Sequence, residues 1–147
     1  MPYKRSNAGP TIAPVFGGVG SQFEPALGWA RALKLRQETD LDQSNGLAFA
    51  FAGDGSVATG GFWSAVREAS ASQLPIVIVI ENNDIAILTR SKVQFAGKSV
   101  AKLFAAFPGL TVHSFDGSLP QNEEPMPFMR PCGPWLSCSF FTRLLAW

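Results

Sequence analysis

Residues 47–83 read LAFAFAGDGSVATGGFWSAVREASASQLPIVIVIENN, and this stretch decides the fold. Leu47 to Ala52 is a short, continuous apolar run that Gly53-Asp54-Gly55 ends abruptly, the pattern of a strand buried on both faces. Phe62, Ala65, Val66 and Ala69 recur at helical spacing, so a helix is expected over Gly61 to Gln73. Pro75 opens Ile76-Val77-Ile78-Val79-Ile80, which is almost wholly β-branched and is the strongest strand signal in the chain. That run ends at Glu81-Asn82-Asn83. A strand, a helix and a strand within about 35 residues imply a crossover that leaves the two strands parallel.

Upstream, Met1 to Phe16 is rich in turn formers and reads as an irregular opening segment. Gly17-Gly18-Val19-Gly20 follows, then Phe23, Ala26, Leu27, Ala30 and Leu33 at helical spacing, with Ser21 as the expected N-cap. Asp40 to Gly46 is polar and reads as a loop. Downstream, Ser99 to Phe107 is an expected helix, and Leu110 to Phe115 an expected strand ending at Asp116-Gly117. The fold class is α/β, a parallel sheet flanked by helices. From Ser118 onward five prolines break any periodicity. The apolar run Cys132 to Trp147 shows no clean period and no partner element. The expected organisation is an α/β domain over residues 1–117 and an irregular tail over 118–147.

Hydrophobic residues make up 46% of the chain and charged residues 16%, a balance that suits a globular domain and excludes a disordered one. With 12 basic and 11 acidic residues the net charge is +1, which offers no nucleic-acid footprint. No apolar run reaches the roughly 20 residues of a membrane helix. Lys4 and Arg5 are followed by no signal-peptide core, so a cytoplasmic location is expected. Cys132, Cys138 and the lone His113 make no metal site, and the cysteines are expected as free thiols in a reducing compartment.

In a parallel α/β sheet, ligands bind beyond the carboxyl ends of the strands. Gly53-Asp54-Gly55 and Asn82-Asn83 both fall there. Asp54 offers a carboxylate oxygen and Asn83 an amide oxygen. Mg²⁺ takes a few such hard ligands and completes its octahedron with phosphate and water, so a diphosphate is the natural third party. The N-terminus of the following helix adds amide donors. Gly17 to Gly20 fails as a dinucleotide fingerprint, because Phe23 holds the third glycine position and no clear strand precedes it.

Gly53-Asp54-Gly55 followed by Asn82-Asn83, with Asp54 and Asn83 29 positions apart, resembles the cofactor motif of thiamine-diphosphate enzymes. The stretch GDGSVATGGFWSAVREASASQLPIVIVIENNDIAI is similar to the alpha subunit of the decarboxylating component of 2-oxo acid dehydrogenases, of pyruvate and branched-chain type. GGVGSQFEPALGWA and FPGLTVHSFDG extend the resemblance over Gly17 to Gly117. It implies the diphosphate-binding half of a thiamine-diphosphate-binding fold, in truncated form. It further implies that Asp54, Asn83 and the backbone carbonyl of Ile85 ligate Mg²⁺. Gly53 belongs to the same cofactor motif, Gly55 and Ser56 contact the diphosphate, and Gly17 and Val19 lie near the aminopyrimidine ring. Two positions depart from the family's pattern. Asp84 stands where a small or different residue is usual, and Ile85 replaces a tyrosine.

The resemblance implies oxidative decarboxylation of a 2-oxo acid with acyl transfer to a lipoyl group. Its partners would be a beta subunit or beta-like domain and a lipoyl-bearing acyltransferase. The glutamate that activates the cofactor comes from the beta half in that family, and no residue here takes that part. Glu68 and Glu81 belong to the scaffold. The family's N-terminal region with its active-site histidines has no counterpart in this sequence. The chain alone is therefore expected to carry no catalytic residue and to turn over no 2-oxo acid. A transketolase-like enzyme and a non-catalytic remnant are the alternative readings.

Overall fold

The computed structural model describes residues 11–14, 17–39, 46–94, 100–104, 107–115 and 137–142. Strands β1 (Ala48–Gly53) and β2 (Ile76–Asn82) run parallel, in register from Ala48 opposite Ile76 to Gly53 opposite Glu81. Helix α2 (Gly60–Ser72) makes the crossover between them. Helix α1 (Phe23–Glu38) precedes both strands. Further along lie strands β3 (Ile85–Ala86) and β4 (Thr89–Arg90), short helices α3 (Ser91–Gln94) and α4 (Val100–Phe104), and strands β5 (Thr111–Phe115) and β6 (Ser137–Thr142).

One core explains the arrangement. Alanine occupies every inward position of β1 (Ala48, Ala50, Ala52), and Ile76, Ile78 and Ile80 occupy those of β2. The small β1 side chains let the buried face of α1, Phe23, Ala26 and Ala30, come close to β1, and Phe62, Ala65, Val66 and Ala69 of α2 join the same core. Phe62 is fully buried and meets Phe23 edge-on at 5.0 Å between ring centroids and Phe104 at 5.2 Å. Each such pair adds about 1 kcal/mol beyond the area it buries. Arg31 of α1 pairs with Glu68 of α2 at 2.9 Å. Glu68 also accepts a hydrogen bond from Ser72, so its carboxylate belongs to the scaffold.

Four expectations need correction. First, β1 is buried on one face only: Phe49 and Phe51 of its other face are 44% and 50% exposed. β1 is an edge strand of the described sheet, and an apolar run alone does not distinguish a one-sided from a two-sided strand. Second, Ser21 does not cap α1. Gln22 holds the N-cap position in helical conformation, and the Ser21 hydroxyl donates to the carbonyl of Gly18 at 2.6 Å, so the preceding turn has claimed it.

Third, the tail contributes an element. β6 lies between β2 and β5 and is antiparallel to both, in the order β1-β2-β6-β5. Its run Ser137-Cys138-Ser139-Phe140-Phe141-Thr142 does not alternate strictly, and its register comes from neighbours distant in sequence. Fourth, the sheet is consequently mixed. β1, β2 and β5 share one direction, and β6 opposes them. The α/β class stands. Residues 40–45 of the expected loop Asp40 to Gly46, Asp116-Gly117 and most of the opening and tail segments lie outside the described residues. Among the described residues no helix is long and apolar enough to cross a membrane.

Candidate cofactor and metal site

Both β1 and β2 point their carboxyl ends to one edge, and the last ladder pair there is Gly53 with Glu81. One residue further, Asp54 opens a short 3₁₀ helix, Asp54–Ala58, while Asn82 closes β2 and Asn83 follows. The register thus brings the Asp54 turn and the Asn82-Asn83 turn to adjoining strand ends. Asp54 is 3% exposed and Ser56 8%; they are the buried polar or charged residues among those described. Burying a carboxylate is costly unless its charge is answered, and Asp54 is not without a partner.

The asparagines shape their own turn. Asn82 Oδ1 accepts from the Asp84 N–H at 2.9 Å, and Asn83 Oδ1 accepts from the Ile85 N–H at 3.1 Å. These successive side-chain-to-backbone bonds hold Asp84 at φ 63, a conformation that Asp tolerates. Asn83 Oδ1 keeps a second lone pair, and Asn83 and Ile85 are exposed. The chain then turns through the hairpin of β3 and β4. A Cβ on Gly55 would lie 2.8 Å from the Ala86 Cβ, so the hairpin rests on the 3₁₀ helix and Gly55 is glycine because of it.

The glycine segment reaches the same edge. Thr59 caps α2: its Oγ1 donates to the Ser56 carbonyl at 2.7 Å and accepts from the Phe62 N–H at 3.4 Å. Gly20, at φ 79, packs on that threonine, and a Cβ there would lie 2.3 Å from Thr59 Oγ1. Gln22 Nε2 donates to the Phe51 carbonyl at 3.1 Å, fixing the start of α1 beside β1. Gly17 and Val19, in the same turn, are exposed, and nothing packs within 4 Å of a Cβ at Gly17.

Asp54, Gly55, Ser56, Asn83 and Ile85 therefore meet at one sheet edge, and the Gly17–Gly20 turn joins them through Gly20. Gly53 lies in the ladder at φ −81 with room for a side chain, so of the two glycines beside Asp54 it is Gly55 that steric contact requires. Sequence reasoning missed Thr59, although a threonine before a helical run is a legible N-cap signal. It also missed the contacts of Gly20 and Ala86, which depend on segments distant in sequence. Among the described residues no three His, Cys, Asp or Glu side chains cluster as a metal site. The edge instead offers one carboxylate, one amide oxygen and backbone carbonyls, a hard-oxygen set that suits Mg²⁺ with a diphosphate. The residues present fit that group.

Residues 3–118 match the family model described as dehydrogenase E1 component. The pyruvate dehydrogenase E1 component subunit alpha of Staphylococcus aureus strain COL is 33% identical over 100 residues, covering 67% of this chain and 25% of that protein. The subunits of the same name from S. aureus strain MRSA252 and from Staphylococcus epidermidis are each 32% identical over the same length and shares. The chain spans a quarter of the length of these curated relatives.

Proposed function

The chain belongs to the dehydrogenase E1 component family and is alpha-subunit-like, and from that premise we propose that its sheet edge holds the Mg²⁺–diphosphate end of thiamine diphosphate. The observation that carries this reading is the parallel register of β1 and β2, which sets Asp54 and Asn83 at adjoining strand ends. Asp54, Asn83 and the carbonyl of Ile85 are the metal ligands. Gly53, Gly55 and Ser56 form the diphosphate side, where the first turn of α2 adds amide donors. Gly17 and Val19, open in the turn above, face the aminopyrimidine end. The unit we assign to the cofactor is residues 1–117, and Ser137–Thr142 of the tail 118–147 add β6 to its sheet.

When bound, the cofactor supplies the electron sink for decarboxylation of a 2-oxo acid. This chain's residues bind and orient it. The acid–base groups belong to a beta subunit or beta-like domain, and the acyl group passes to a lipoyl-bearing acyltransferase. The place of work is the cytoplasm. Thermal unfolding tests the reading. Ligand at about a hundred times its Kd stabilises a fold by about 2.7 kcal/mol, which is a shift of several degrees for a chain of this size. Thiamine diphosphate with Mg²⁺ is expected to raise Tm, whereas thiamine with Mg²⁺ leaves it unchanged. Equal shifts for both would remove the diphosphate from the site.

A further inference from the structure

Gln94 closes the short helix α3, which packs against the 3₁₀ helix carrying Asp54, Gly55 and Ser56. Its Oε1 is buried and meets no hydrogen-bond partner among the described residues. Buried amide oxygens are almost always paired, so an orphan here calls for a donor. The diphosphate bears only acceptors at neutral pH, but Mg²⁺ keeps several of its waters, each a polarised donor. Resting on the reading of this edge as the metal and diphosphate site, we propose that Gln94 is a further binding residue of that site, its amide oxygen accepting a hydrogen bond from a water on the cation.

The orphan gives the proposal a signature that a merely structural glutamine does not have. A buried acceptor without a donor destabilises the free chain, and an apolar side chain of similar shape removes that penalty. Gln94→Met is therefore expected to hold or raise the Tm of the ligand-free chain while weakening Mg²⁺-dependent binding of thiamine diphosphate roughly three- to tenfold. Gln94→Glu keeps an acceptor and retains more of the binding than Gln94→Met. Both variants are compared with the unaltered chain by thermal unfolding and by calorimetric titration.

A Gln94→Met chain that loses Tm without ligand, or that binds as tightly as the unaltered one, overturns the proposal. An unaltered chain that binds no Mg²⁺–thiamine diphosphate overturns the reading of the site itself, and Gln94 falls with it. Normal binding by the unaltered chain and by Gln94→Met alike removes Gln94 alone.

Discussion

At Asp54 the buried position and the chemistry coincide. The side chain is 3% exposed at the end of an edge strand, where packing alone would favour an apolar residue. Asp54→Ala is expected to weaken Mg²⁺-dependent thiamine diphosphate binding at least about a hundredfold, since even residues that only support a metal ligand contribute ten- to a hundredfold. Titration of the variant checks this, and unchanged affinity would move the metal elsewhere. Gly20 carries a steric prediction. Gly20→Ala drives a Cβ to 2.3 Å from Thr59 Oγ1 at a φ of 79. Chemical denaturation should read a loss of about 2 kcal/mol. The two residues differ in legibility. Asp54 and Asn83 stand out because polar groups interrupt apolar strands at their carboxyl ends. Gly20 does not, because the threonine that demands it lies 39 positions away in the chain.

Among the elements, β2 and α2 were readable because their signals are local: a β-branched run and a helical period closed by Thr59 and by Gln73 in left-handed conformation. β1 was readable as a strand but not as a one-sided one, and β6 was not readable at all, since both properties depend on neighbouring strands. The β3–β4 hairpin carries a strain that sequence does not advertise. Ile87, 91% exposed, sits at φ 57 in its two-residue turn, where a β-branched residue is an outlier and glycine or asparagine is usual. Ile87→Gly is expected to stabilise the chain by up to about 1 kcal/mol, with no change in cofactor affinity. Loss of stability in chemical denaturation would mean that the isoleucine makes a contact that outweighs its strain.

Across the whole molecule, the apolar surface is uneven. Phe49 and Phe51 stack at 6.3 Å on the outer face of β1, with Leu47 exposed beside them. An apolar edge strand invites pairing with another chain. Sedimentation is expected to show concentration-dependent association that Phe49→Lys with Phe51→Lys relieves. Association unaffected by that pair would locate the sticky surface elsewhere. The site is on the opposite account: its parts come from the Gly17–Gly20 turn, both parallel strands and the hairpin, so it exists only if the chain folds. Calorimetric titration of the purified chain with thiamine diphosphate, with and without Mg²⁺, decides whether this sheet edge binds a diphosphate through the metal. Saturable binding is expected only when Mg²⁺ is present; a chain that unfolds cooperatively yet binds nothing in either condition would overturn the assignment of the site.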